Sequence, residues 1–404
     1  MKGRKILLFF VGFLLLGGMV ALSTYLFSRP NTNTRTIIEV HPDESIQAAL
    51  DRAALTNPKA IVRLHPGVYR PAKPGQALIS FNSRHDGIEL EGLDSVTLTA
   101  ANPDIADPKA RSFPAVVNHV IYCGDGVSNK TIIRNLKITG GNGYTEGPSG
   151  LMDIQTVDDL NRSTRFRSYD SPIESNGKLE KTHEFFCDGT GILIYGRSYP
   201  TIEDVEISNN YGRVCGGGVS IQHRSDTLIE PVRFRNCIFR NNRAAISGAA
   251  IDVFSHHSWV ELDNCLFVGN ENEEKLDMDP GAKSIFPEHG FGVLSVFPTC
   301  RATVRNCTFT DNRSAVDDRG FESRYERSIF WNNSRPGVLK KPHYELNVNE
   351  STFADGCFIH GEIDDVRSNL SRSGNRFESV NPEFDAAFRP RNTLFGTVGF
   401  RPVR

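Results

Sequence analysis

Charge of one sign is what this sequence lacks most clearly. Its 404 residues carry 46 Lys and Arg against 48 Asp and Glu, a formal net charge of −2. No global positive field is available to neutralise phosphates, which argues against a nucleic-acid partner. Methionine is scarce, at 4 residues, whereas there are 35 Gly, 21 Pro and 26 Phe, a balance that favours strands and turns. Turn signals do not recur every 8 to 12 residues, so the hairpin rhythm of a β-sandwich is missing. His256 and His257 have no Cys or carboxylate at zinc-ligand spacing, and no metal is expected on them.

The N-terminus opens with Lys2, Arg4 and Lys5, followed by an uncharged, largely apolar run over residues 6–28. This reads as a secretory signal peptide or as an uncleaved membrane anchor, with Ala21-Leu22-Ser23 offering a small-x-small cleavage site. No cysteine follows the run, which argues against a lipoprotein anchor. With the basic residues ahead of it, the rest of the chain lies outside the cytoplasm, secreted or anchored. Residues 29–35 then form a linker.

A short motif recurs. Its copies begin at Asn135, Asp204, Asn236, Asn264, Asn306, Arg327 and Glu350. The second position is small or apolar and the fourth is Ile or Phe, a strand period of two. Six residues after each start stand Gly141, Asn210, Asn242, Asn270, Asn312, Asn333 and Gly356, all of a type that tolerates a left-handed turn. Copy spacings of 69, 32, 28, 42, 21 and 23 residues fit coils of roughly 20 to 25 residues with insertions of variable length. The expected fold is therefore an all-β parallel solenoid.

Eight cysteines in an exported chain invite a disulfide framework. However, Cys237, Cys265 and Cys307 share one motif position, and a strand spacing of about 4.8 Å sets stacked Cβ atoms farther apart than a disulfide favours. The reading preferred here is a buried thiol ladder beside a stack of Phe239, Phe267, Phe309, Phe330 and Phe353.

Together with these repeats, Ser45-Ile46-Gln47-Ala48-Ala49-Leu50-Asp51 reads as a capping helix and Ile61 to Tyr69 as a first strand. Asn381-Pro382-Glu383-Phe384 closes the series. In this the chain resembles the right-handed parallel β-helix proteins of pectate-lyase type over residues 36–390, leaving 391–404 as a C-terminal tail. The resemblance implies a right-handed β-helix. It does not select an activity, since that superfamily holds lyases, hydrolases, epimerases and non-enzymatic surface proteins.

A second strand pattern starts at Gly191, Gly218, Ala250 and Gly292. Its outward column is Leu193, Ser220, Asp252, with Tyr195, Gln222 and Phe254 beside it. Arg197, Arg224 and His256 follow at the next turn, next to His223, Ser255 and His257. Insertions over 144–186 and 271–290 leave from one corner and would wall a groove along these strands. Two readings stay open. One is a lyase on an anionic, uronic-acid polysaccharide, with Asp252, His223, His256 and Arg224 as catalytic candidates and Arg197, Tyr195, Gln222 and His257 binding substrate. The other is a non-catalytic surface β-helix that binds glycan or acts as a spacer. A glycoside hydrolase relying on Asp317-Asp318-Arg319 ranks below both. No cofactor is required, although Glu271, Glu273, Glu274, Asp277 and Asp279 supply the oxygens that Ca²⁺ takes. The expected partner is an anionic polysaccharide, with a membrane through residues 6–28 if they are retained, and the protein is expected to be a monomer.

Overall fold

Strands that bury every second side chain and cannot close a sandwich by hairpins must stack on copies of themselves, and they do. The computed structural model describes residues 35–73, 75–104, 115–142, 145–147, 150–152, 173–175, 178–180, 188–212, 214–254, 257–273, 292–333, 346–348, 352–354, 356–360, 363–365, 375–377 and 380–402. One turn of the coil runs Thr201–Ser208, Tyr211–Gly212 and Val219–His223, and the next runs Val232–Arg235, Ile238–Arg240, Arg243–Ala244 and Ile251–Phe254. Each of these strands pairs in parallel with its counterpart one coil away, whereas Thr145–Gly147 with Gly150–Met152 and Ile173–Ser175 with Lys178–Glu180 form antiparallel pairs. The result is an 18-stranded sheet bent at a corner, a nine-stranded sheet facing it and a short three-stranded sheet. This is the all-β parallel solenoid expected from the repeats. Residues Ile38–Arg404 make one compact unit.

The helix Ile46–Thr56 caps the first coil, N-capped by Ser45, whose side chain accepts from the Ala48 N–H; Ile46, Ala49, Leu50 and Ala53 are its buried residues. The expected first strand is in fact two, Ile61–Leu64 and Gly67–Tyr69, and it is preceded by Ile37–Val40. Among the described residues, no helix is long and apolar enough to cross a membrane. The apolar run at 6–28 lies outside the described residues.

Each motif places its parts differently from the first reading. The left-handed residues are the motif starts, Asn135, Asp204, Asn236, Asn264, Asn306 and Arg327, and the fifth residues on, such as Asn209, Asn241 and Gly269. The sixth residues form a buried amide ladder instead. Asn242 Nδ2 donates to Asn270 Oδ1 at 3.1 Å, Asn270 Nδ2 to Asn312 Oδ1 at 2.9 Å, and Asn312 Nδ2 to Asn333 Oδ1 at 2.8 Å. Inside the corner, Phe239, Phe267, Phe309 and Phe330 stack with centroids 4.6, 4.2 and 5.0 Å apart. Phe353 does not hold the register position of that stack: its strand pairs with Arg324–Glu326, with Phe353 opposite Tyr325. The true next copy is Gly356-Cys357-Phe358-Ile359, in which Ile359 pairs with Phe330 and Gly356 takes the left-handed start.

Cys237, Cys265 and Cys307 are buried free thiols, each lying against a backbone carbonyl, Arg235 O, Asp263 O and Arg305 O respectively. On the outside of the large sheet, one column reads Arg63, Glu91, Arg134, Glu203, Arg235, Asp263, Arg305, Glu326. Unlike charges face each other at every step, which favours this register and leaves the face neutral. The C-terminal tail packs back over the coils. Phe395 joins Ile329 and Phe358, and Phe400 joins Leu266 and Val268.

Candidate functional site

The register of the outward column is as expected: Leu193 pairs with Ser220, Ser220 with Asp252 and Asp252 with Ser295. Its exposure is not. Leu193, Tyr195, Ser220, Gln222 and Asp252 are all buried, and only Phe254 is partly open. The cover comes from the turn ahead of each strand, which doubles back over the strand's outer face. Gly216 and Gly248 make the doubling possible, at φ +59° and +63°, where a Cβ would stand 2.8 Å from Ser220 Cβ and 2.6 Å from Asp252 Cβ. A left-handed glycine against a neighbouring side chain leaves no room for another residue. The signal was present in the sequence, since Asp188-Gly189, Cys215-Gly216 and Ser247-Gly248 stand just before three consecutive strands.

Asp252 is therefore not a base presented to solvent. Burial, and then the charge of Asp188, push its carboxyl well above the usual range, while the Ser220 hydroxyl donates to it and opposes the shift. Among the described residues, Asp252 has no hydrogen bond to a histidine. His223 faces another way: its Nε2 lies 2.8 Å from the Ser198 carbonyl, its ring meets the edge of Tyr199 at 4.8 Å, and it is 1% exposed. Burial lowers its pKa to about 4, with the Ser198 carbonyl opposing. Gln222 donates from Nε2 to Ser220 Oγ at 3.1 Å. Asp252 and His223 are thus both sealed from solvent, and His256 falls outside the described residues.

The accessible groups sit at the corner that follows. Arg197 is exposed, and its backbone N–H donates to Asp125 Oδ1 at 2.6 Å. Arg224 is half-buried, with its guanidinium 5.7 Å from the ring centroid of the buried Tyr195, a cation–π arrangement. His257 Nδ1 lies 3.1 Å from the Ser225 carbonyl. The wall residues at 144–186 and 274–290 lie largely outside the described residues. Glu271 and Glu273 pair with Arg313 and Arg243; Glu274, Asp277 and Asp279 lie outside the described residues. Asp317 and Asp318 are buried; Asp318 Oδ2 accepts from Tyr325 Oη at 2.7 Å, and the Asp317 carboxylate faces Arg319.

One consequence concerns pH. In the unfolded chain His223 takes up its proton near pH 6.5, whereas in the fold it does so only near pH 4. Between these values the unfolded state binds more protons, so stability falls as pH falls through the window, by up to about 3 kcal/mol. Denaturant titrations of wild type and His223→Gln between pH 7 and pH 4 should diverge by that amount. Parallel curves would show that His223 contributes nothing to the pH dependence.

A family model described as a right handed beta helix region matches residues 79–293. No curated protein matches the chain. Among solved structures, the crystal structure of PfbA, a surface adhesin of Streptococcus pneumoniae, is 11% identical with a TM-score of 0.25, covering 85% of this chain and 93% of that one.

Proposed function

We propose a glycan-binding, non-cleaving role for this chain, which belongs to the right handed beta helix region family. The observation that carries the proposal is the closure of the nine-stranded sheet's outer face: Asp252 and His223 are sealed at 1% exposure each, while the cations Arg197 and Arg224 stand at the corner beyond them. A buried acid and a histidine tied to a backbone carbonyl have no path to a polymer's C–H, whereas the guanidinium of Arg197, which is exposed, and that of Arg224, which is half-buried, are of the kind that pairs with a sugar carboxylate. The outer column of the large sheet is self-neutralised, so the corner with Arg197 and Arg224 is the part of these faces that offers cations to an anionic chain. Export through the N-terminal apolar run places the protein where such polymers occur, and polymeric ligands suit a solenoid's long faces.

The test is affinity electrophoresis of the full chain in gels cast with uronic-acid polymers, run alongside absorbance of the unsaturated product in solution, with and without Ca²⁺. The gels should retard the protein and no unsaturated product should form. Arg197→Ala/Arg224→Ala should weaken retention about tenfold, as expected for two ion pairs of about 0.7 kcal/mol each. A rise in absorbance would restore the lyase reading. Unretarded migration in every gel would end the binding reading.

A further inference from the structure

We propose that Asp188, Cys215 and Asp252 form a binding site for one thiophilic divalent ion of the zinc class. Asp188 and Cys215 hold the same place on consecutive coils, each just before a left-handed glycine, and Asp252 projects from the outer face of Ile251–Phe254 beneath the turn that carries Ser247 and Gly248. A carboxylate oxygen of each aspartate and the Cys215 sulfur all lie within 4.8 Å of one another. Small side-chain movements would draw the three onto one ion at bond lengths of about 2.0 to 2.3 Å.

Two further observations point to a ligand and not to packing alone. Asp252 Oδ1 is shut away from solvent and has no hydrogen-bond partner, an arrangement that costs on the order of 1–3 kcal/mol if nothing fills it. The second is charge balance. All three residues are at least 97% buried. Among the described residues no Lys, Arg or His forms a salt bridge with Asp188 or Asp252, and two buried acids without a cation are neutralised only by protons or by a metal.

The donor set selects the metal. One sulfur and two carboxylates suit zinc, which takes three protein ligands and leaves a fourth position open; Ca²⁺ requires six to eight oxygens. The supporting contacts are also present. The Cys215 N–H donates to Asp188 Oδ1 at 2.8 Å and fixes that carboxylate, and Ser247 Oγ lies 3.3 Å from the Cys215 sulfur, the kind of outer contact that orients a metal ligand. The ladder thiols Cys237, Cys265 and Cys307 differ, being bonded to backbone carbonyls and, among the described residues, joining no such cluster of acids.

The experiment is to unfold the full chain in denaturant with chelator and refold it with Zn²⁺, with Co²⁺ or with neither, then desalt it and measure bound metal by plasma mass spectrometry. Wild type should retain about one ion per chain, melt higher with it than without, and show a thiolate-to-cobalt charge-transfer band when loaded with Co²⁺. Cys215→Ser and Asp252→Asn should each lower retention at least about tenfold, and Cys215→Ser should lose the band. Should Cys215→Ser fail to fold, Cys215→Ala takes its place, because the band has to vanish with that one sulfur among the eight cysteines of the chain. Two results would overturn the site: wild type that retains neither ion while Asp252→Asn melts above it, which assigns the cluster to protons, or a cobalt spectrum that Cys215→Ser leaves unchanged.

Discussion

Asn270→Leu should destabilise the fold by about 4 kcal/mol. Asn270 is 1% exposed and stands in the middle of the amide ladder. Its Oδ1 accepts from the Asn242 N–H at 3.0 Å and from Asn242 Nδ2 at 3.1 Å, and its Nδ2 donates to Phe239 O at 3.0 Å and Asn312 Oδ1 at 2.9 Å. Leucine keeps the volume and strands four buried polar partners, each worth about 1 kcal/mol or more when left unmet. Asn241 supplies the contrast: it is exposed and left-handed, at φ 53°, a conformation glycine adopts freely. Guanidinium titrations should show a large drop in midpoint for Asn270→Leu and a change within about 0.5 kcal/mol for Asn241→Gly. Equal losses in the two variants would mean that turn conformation, and not the buried ladder, is what asparagine provides.

Phe267→Ala should cost about 3 to 5 kcal/mol. Phe267 is fully buried, with Phe239 4.6 Å away on one side and Phe309 4.2 Å away on the other, at interplanar angles of 6° and 3°. Removing the middle ring takes away two stacked contacts as well as the apolar area. Because each coil touches only its neighbours, the coils on either side cannot close the gap without shifting their own hydrogen-bonded register. Phe267→Leu should recover more than half of the loss. A loss under about 1 kcal/mol for Phe267→Ala would show that the stack carries little of the core's stability.

The candidate site was legible only in part. Register along the second strand series followed from Gly191, Gly218 and Ala250, and pairing of Leu193 with Ser220 and of Ser220 with Asp252 holds in the structure. Exposure did not follow, because alternation reports only which side chains leave the core, not what then covers them. The covering turns of Gly216 and Gly248 lie a few residues upstream on the same coils, and their left-handed geometry is a tertiary fact. For the same reason Asp188 and Cys215 stood unremarked, their only sequence mark being a following glycine. The last motif copy was misplaced because Thr352-Phe353 imitates the pattern, while Gly356-Cys357-Phe358-Ile359 opens on glycine and has Glu362, not Asn or Gly, six residues on. Pairing across the sheet, which a single strand's sequence does not contain, decides between them.

What the sequence determined by itself is therefore the solenoid and its interior: the thiol column, the phenylalanine stack and the asparagine positions. These repeat at one motif position from coil to coil, and repetition is visible in one dimension. The tertiary structure alone decided which asparagines turn the chain and which bond each other, which strand faces are sealed, and which acids meet a thiol. Those outcomes depend on contacts between coils 20 to 70 residues apart, where backbone hand and packing, and not local pattern, set the distances.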